Sequence, residues 1–166
     1  MIDTTNKKIV CITGSIWTHK HDAPRHLLVK EGFIRPRWFS TGRSFNDANY
    51  EFISETSFHL AQAESKVLAH IEYGGVVAGI MKDKFQQALE EASVGILVVG
   101  FPEIVAQIAD NYSQAIVFAF KPEGTELSEH LETARKTRQL HRIDIDVLEA
   151  GAWEQVMDKI QTVVGY

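Results

Sequence analysis

The amino-acid sequence predicts a three-layer α/β/α sandwich, in which helices cover both faces of a mostly parallel central sheet. Four short apolar runs lack the alternation of half-exposed strands, which is typical of strands buried on both faces. Segments with a helical period lie between these runs and are long enough to connect parallel strands. The chain has 166 residues, 45% hydrophobic and 23% charged. This length and composition suit one domain with one core.

The elements alternate along the chain, with one interruption. The predicted strands are residues 8–13, 94–101, 115–120 and 142–148. The predicted helices are residues 24–31, 54–70, 81–92, 102–112, 125–140 and 152–164. The last helix has the clearest apolar stripe, in which Trp153, Val156 and Ile160 recur at helical spacing. Aromatic and turn residues break the alternation at 33–79, so we expect one domain over 1–166 with a small inserted α+β lobe at 33–79.

Charge and hydropathy narrow the class of partner. The net charge is -5, which argues against a nucleic-acid partner, because such proteins usually carry a basic field. The longest apolar runs have about eight residues, short of the ~20 that a membrane helix needs, so we expect no membrane span. The polar N-terminus has no signal-peptide pattern, and we expect a cytoplasmic protein. The single cysteine, Cys11, lies in an apolar run and is predicted to be a buried core thiol.

The candidate phosphate-binding loop follows the first predicted strand, at residues 14–21. A P-loop reads G-x-x-x-x-G-K-[ST] between a strand and a helix, and Gly14 and Lys20 keep its spacing. His19 replaces the second glycine, and His21 replaces the hydroxyl residue that holds Mg²⁺. We therefore predict cofactor-phosphate contacts from Gly14, Ser15, Lys20 and His21, with Lys20 catalytic if the chain transfers phosphate.

Residues after the loop count against a working P-loop. Asp22 is a good helix N-cap and Pro24 suits the first turn that would follow it. A carboxylate at that position uses the same N–H groups that a phosphate would need. The alternative is that Gly14 is only a turn and Lys20 a surface lysine. A metal alternative would use His19, His21, Asp22 and His26, but short His-rich tracts are more often solvated loops, and we predict no metal site.

With these residues placed, the layout of most of the chain resembles the guanylate kinase family. Residues 39–43 (FSTGR) resemble the family's S-x-T-T-R segment, and residues 50–53 (YEFI) resemble its Y-x-F-V segment. Residues 74–79 (GGVVAG) resemble its G-N-Y-Y-G turn. The resemblance implies that Ser40, Arg43 and Tyr50 contact the substrate phosphate. It implies ATP and Mg²⁺ as cofactors, although the altered loop matches both poorly.

The chain departs from the family where acids are expected. The glutamate that reads guanine falls near Ala69, and Glu72 is the only acid nearby. The family's D-x-D at the end of the third strand falls on Val98 and Gly100. Both changes indicate a degenerate member that lacks efficient kinase activity.

Three arginines are candidates to replace the family's lid. Arg135, Arg138 and Arg142 are spaced i, i+3, i+7, which would place them on one helix face. Arg135 and Arg138 are accordingly our catalytic candidates for clamping a phosphate. The alternative is a cationic helix end that complements the helix dipole.

Three functions follow from these observations. The first is an inactive guanylate kinase-like domain that binds a nucleotide, another phosphorylated small ligand or peptide, or a protein partner. The second is an active nucleotide or small-molecule kinase with a divergent loop. The third is a structural or oligomerising protein without a phosphate ligand, whose contact surface would be the aromatic segment 38–58.

Overall fold

The structure, a computed structural model, describes residues 5–14, 31–42, 50–120, 131–137, 139–143 and 151–165. The strands in these ranges are β1 (Lys8–Gly14), β2 (Phe33–Ile34), β3 (Trp38–Ser40), β4 (Tyr50–Phe52), β5 (Val67–Tyr73), β6 (Val76–Met81), β7 (Gly95–Val99), β8 (Ala115–Phe120) and β9 (Leu140–Ile143). The helices are α1 (Glu55–Ala63), α2 (Lys82–Glu91), α3 (Pro102–Asn111), α4 (Glu132–Lys136) and α5 (Ala152–Val164).

Five of the strands form the main sheet, in the order β2-β7-β1-β8-β9, and every neighbouring pair is parallel. The central strand β1 is covered on both faces. Val10 and Ile12 pack with Val156 and Ile160 of α5, whereas Cys11 packs on the opposite face with α2 and α3. This arrangement confirms the predicted three-layer α/β fold with a mostly parallel sheet.

The second, smaller sheet has the order β4-β3-β6-β5 and carries α1 on one face. Phe58 of α1 anchors the helix, because its ring centroid lies 5.7 Å from that of Phe39 in β3. The strands of this sheet lie between residues 38 and 81, whereas Phe33 pairs within the main sheet. The structure thus contains the expected small α+β lobe, and its boundaries at 33 and 79 stay a prediction.

The aromatic residues of this lobe are mostly core. Trp38, Phe39 and Phe58 are buried, while Phe52 is exposed. The prediction that segment 38–58 offers an aromatic contact surface is wrong for the three buried rings, because they pack inside the lobe and against the main sheet.

Two predicted helices extend too far. The helix predicted at 54–70 ends at Ala63, and Val67–Tyr73 is a strand. Ser65 takes a left-handed conformation with φ of +59°, which ends the helix, and pairing with β6 then decides the strand. The helix predicted at 125–140 cannot reach its predicted end, because Leu140 starts β9.

The other elements agree with the sequence-based bounds within a few residues, and α5 (Ala152–Val164) matches its prediction in full. The helix predicted at 24–31 and most of the strand predicted at 142–148 lie outside the described residues. Cys11 is fully buried, and burial raises the pKa of its thiol to about 12. None of the described helices is long and apolar enough to span a membrane.

Candidate functional site

The candidate site lies at the edge of the main sheet where its parallel strands end. β1 ends at Gly14, which stands in register with Phe120 at the end of β8. On the other side, the Gly100 N–H donates to the Ile12 carbonyl over 3.1 Å, which extends the β1–β7 pairing past β7. Ligands of open α/β sheets bind outside this carboxyl edge. The predicted phosphate loop therefore starts at the edge where a ligand is expected.

A buried hydroxyl marks the base of that loop. Thr13 directly precedes Gly14 and is fully buried. Within the described part of the chain, its Oγ1 has no hydrogen-bond partner. A buried polar atom is normally paired, since leaving it unpaired costs about 1–3 kcal/mol. Such an atom needs a structural or functional explanation, and Thr13 lies directly before the predicted phosphate loop.

Strand β7 ends without an acid, and the structure gives the reason. Gly100 packs under the indole of Trp38, and a Cβ added at Gly100 would lie 2.9 Å from Trp38 Cη2. Val98, the other predicted position of the acid pair, is fully buried. A carboxylate at either position would need space or water that the packing removes. The Trp38 ring thus fills the space that a side chain at position 100 would need.

The first acid after β7 is Glu103, in the first turn of α3. This residue is half-buried, and its Oε2 atom is inaccessible to solvent. It lies three residues beyond Gly100, at the same end of the sheet. Along the chain, Glu103 is therefore the carboxylate nearest to this strand end.

Two predicted phosphate contacts, Tyr50 and Ser40, lie in adjacent strands of the second sheet. The Tyr50 ring is half-buried, with its centroid 6.1 Å from that of Trp38. One indole therefore contacts both Tyr50 and the strand end at Gly100. Ser40 is buried, and its hydroxyl oxygen accepts the Gly42 N–H over 3.1 Å. That oxygen shapes the turn that leads to the predicted arginine, Arg43.

Gln107 of α3 fastens the second sheet to the main domain. Its side-chain amide donates to the His70 carbonyl over 2.9 Å and accepts the His70 N–H over 3.2 Å. β5 is an edge strand, so these two bonds replace those of a missing neighbour strand. Sequence reasoning missed this role, because the contact joins residues 37 positions apart.

Two exposed aromatic side chains contact each other between the end of β5 in the second sheet and the end of β7 in the main sheet. Tyr73 of β5 and Phe101, directly after β7, lie with ring centroids 6.1 Å apart and ring planes at 24°. They are 74% and 48% exposed. Sequence reasoning also missed this pair. The available signal was an aromatic residue next to the Gly74-Gly75 turn and another between a strand and Pro102.

Glu72, the acid nearest the guanine-reading position, opens to the other face of the second sheet. Consecutive strand residues point to opposite faces, so Glu72 and Tyr73 face in opposite directions. Glu72 lines a cavity of about 380 Å³ between α1 and the β5–β6 hairpin, together with Glu55, His59 and His70. Ala69 shares the face of Tyr73 and is buried. The carboxylate of Glu72 is therefore not presented beside Phe101.

The predicted arginine face does not form. Arg142 lies in strand β9, so it cannot share a helix face with Arg135. Arg135 lies in the last turn of α4 and donates to both carboxylate oxygens of Glu132, over 3.0 and 2.9 Å. This hydrogen bond lowers the pKa of the Glu132 carboxyl.

Arg135 also lies toward the wrong end of the sheet for a lid. It lies four residues before Gln139 in the chain, and the Gln139 side chain donates to the carbonyl of Ala115 at the start of β8. Gly14 lies beside Phe120 at the other end of that strand. The structure thus does not bring Arg135 and Gly14 together, and a catalytic role for Arg135 stays a prediction.

The remaining predicted contacts lie outside the described residues. These are Ser15, Lys20, His21, Arg43 and Arg138. The histidines and the aspartate of the alternative metal site at 19–26 also lie there. Among the described residues, no three His, Cys, Asp or Glu side chains are grouped so that they could hold a metal ion.

Comparison with known proteins identifies the fold. The chain is similar in structure to the guanylate kinase from Anaplasma phagocytophilum, with a TM-score of 0.60 over 96% of this chain and 85% of that one. The chain has a guanylate kinase-like fold. Sequence identity in this alignment is 12%, so the likeness concerns the fold alone. No protein-family model and no curated protein sequence matches the chain.

Proposed function

We propose that this chain binds a phosphorylated ligand, a nucleotide in the first instance, at the carboxyl edge of the main sheet, and that it transfers phosphate poorly or not at all. The observation that carries the proposal is the packing of Trp38 on Gly100. It leaves the strand end without the acid that the guanylate kinase resemblance leads us to expect, while Gly14 and Tyr50 remain near that strand end.

Phosphoryl transfer depends on positioning and on neutralising charge with Mg²⁺, lysine and arginine. Binding needs fewer parts than transfer does, because backbone N–H groups and one or two cations hold a phosphate. In this proposal Lys20 and Arg43 supply the cations, and Tyr50 supplies a hydroxyl. The imidazole of His21 replaces the Mg²⁺ hydroxyl and is a poor ligand for a hard cation.

Calorimetry and an enzyme assay test the proposal together. ATP, GMP and a phosphopeptide are titrated with and without Mg²⁺, and ADP formation is measured with each acceptor. We expect binding of at least one phosphorylated ligand, weakened at least tenfold by Arg43→Ala or Lys20→Ala, with little or no ADP formed. Lys82→Ala and Arg35→Ala are matched controls, because both remove one exposed cation elsewhere. Absence of binding by every phosphorylated ligand would overturn the proposal.

An active kinase is the second candidate, and one observation favours it. Glu103 places a carboxylate oxygen in the interior at the start of α3. A carboxylate there can take over the charge of the missing acid pair, on a helix instead of a strand end. In that case wild-type protein forms ADP, and both Lys20→Ala and Glu103→Gln abolish turnover while the fold is kept. Absence of ADP formation by wild-type protein would exclude this candidate, and ADP formation that survives both substitutions would exclude the roles of Lys20 and Glu103.

A further inference from the structure

The cavity between α1 and the β5–β6 hairpin has no part in the proposed phosphate site. It lies on the face of the second sheet that carries Glu72, opposite to the face of Tyr73. Its volume is about 380 Å³, and small-molecule sites commonly occupy ~300–1,000 Å³. This space, which we call the α1 cavity, can therefore hold a ligand of about the size of an amino acid.

Polar side chains from two elements line the α1 cavity on opposite sides. Glu55, His59 and Gln62 of α1 are spaced i, i+4, i+7, which places them on one side of the helix. His70 and Glu72 of β5 are two residues apart, which places them on one face of the strand. A ligand in the cavity can therefore form hydrogen bonds with the helix and with the strand at once.

The base of the α1 cavity is aromatic and held in place by packing. Phe58 is buried, and its ring centroid lies 5.3 Å from that of His59 and 5.5 Å from that of His70. Phe39 packs on the same ring, with centroids 5.7 Å apart. The backbone of His70 is bonded through both its N–H and its carbonyl to Gln107. The two imidazoles are thus positioned by a rigid part of the fold.

The charge of the α1 cavity is negative. Glu55 and Glu72 contribute two carboxylates, and the residues that line the cavity include no lysine or arginine. In the part of the chain that the structure describes, neither carboxylate has a hydrogen bond or an ion pair. Glu55 lies in the first turn of α1, where its charge complements the helix dipole. Glu72 has no such explanation, so the cavity is expected to attract a cation.

The spacing of these groups indicates the kind of cation. A metal ion needs at least three ligands close together, and the described residues contain no such group. A larger cation with several donors can instead reach both sides of the cavity. A guanidinium group has five N–H donors in a planar fork, and its flat face stacks on aromatic rings. An ammonium group is a compact, strongly hydrated charge without a flat face, so it fits this lining less well.

We propose that the α1 cavity binds a guanidinium group, which donates to Glu55 and Glu72 and places its flat face against the imidazoles of His59 and His70. The group can belong to a free guanidine compound or to the arginine side chain of a peptide, because both present the same donors. This inference is independent of the proposed phosphate site.

NMR titration of the full chain at neutral pH tests the proposal. The probes are a blocked Gly-Arg-Gly peptide, its lysine and citrulline counterparts, and agmatine. We expect the arginine peptide to shift the amide signals of α1 and of the β5–β6 hairpin. Citrulline keeps the shape but lacks the charge, and lysine keeps the charge but lacks the fork, so both should bind at least about tenfold more weakly.

Substitutions of the two carboxylates test their roles. Because both are exposed, Glu55→Gln and Glu72→Gln should each weaken binding of the arginine peptide by only about 3–10-fold. The double variant should bind about 10–100-fold more weakly, since the two carboxylates act from opposite sides. Glu91→Gln is the matched control, because it removes an exposed carboxylate on α2, outside the cavity, and should bind like wild type. Thermal unfolding of each variant verifies its fold.

The outcomes also distinguish the two sources of the guanidinium group. Agmatine that binds as tightly as the arginine peptide supports a free guanidine compound, and tighter binding of the peptide supports a peptide side chain. Absence of binding by both compounds overturns the proposal, as does equal binding of the lysine or citrulline peptide. Wild-type affinity of the double variant overturns it as well. None of these results affects the phosphate site, because no probe carries a phosphate.

Discussion

Replacing Gly100 by alanine should destabilise this protein, because the new Cβ would lie 2.9 Å from Trp38 Cη2 and 3.5 Å from Cζ2. Ordinary contacts of a Cβ begin at 3.4 Å, so the ring would have to move by about 0.5 Å or the backbone would have to yield. Trp38 is 7% exposed and packs against Tyr50, so the ring has little freedom to move. Overpacking of this kind costs about 1–3 kcal/mol.

A smaller effect acts in the opposite direction. The φ of Gly100 lies outside the left-handed region, so alanine can adopt the backbone conformation. It then restricts the unfolded chain, which stabilises the protein by about 0.4–1 kcal/mol. The free energy of unfolding should therefore fall by about 1–2 kcal/mol. For a chain of this length, each kcal/mol lowers the melting temperature by roughly 2–4 °C. Urea unfolding monitored by circular dichroism measures it.

A double-mutant cycle with Trp38→Phe isolates the contact. Removing the outer indole ring should reduce the penalty of Gly100→Ala, with a coupling energy of about 0.5–3 kcal/mol. Gly75→Ala is the control, because a Cβ there meets no atom within 4 Å and the penalty comes from a φ of +79°. Trp38→Phe should leave that penalty unchanged. An equal cost of Gly100→Ala in both backgrounds would refute the packing argument.

Three further predictions concern other parts of the fold. Gln107→Ala leaves both backbone groups of His70 without this partner. Urea unfolding should show a loss of about 1–3 kcal/mol in stability. The His70 amide should exchange its hydrogen faster, and an unchanged exchange rate would contradict this prediction. Burial and the charge of Lys159 lower the pKa of His141 below 6.5. His141 therefore contributes fully to stability above pH 6.5, where its imidazole is neutral in the folded and in the unfolded chain. This contribution is lost as the pH falls through the lowered pKa. NMR titration should show this pKa rising in Lys159→Gln, and no rise would exclude the charge effect. Cys11, with its pKa raised to about 12, should react with a thiol reagent at pH 8 only as fast as the protein unfolds, and rapid labelling of the native state would contradict its burial.

The local sequence was sufficient for the three inner strands of the main sheet, β1, β7 and β8, and for the last helix. The apolar run of β1 is buried on both faces because every residue from Ile9 to Ile12 is apolar, whichever face it meets. The stripe of α5 needs only a helical period to select its buried side. These features depend on contacts with any apolar neighbour, so the sequence of one segment is enough to predict them.

The tertiary structure decided the features that need a particular neighbour. Val67–Tyr73 carries a pattern that suits a helix, yet it pairs with β6, and only that partner makes it a strand. The sequence showed that β7 ends without an acid. It did not show that the Trp38 ring, from a strand about 60 residues earlier in the chain, occupies the space beside Gly100. The stacked Tyr73 and Phe101 rings likewise meet across two sheets. Long-range packing, which no local periodicity encodes, therefore determines the chemistry of the candidate site.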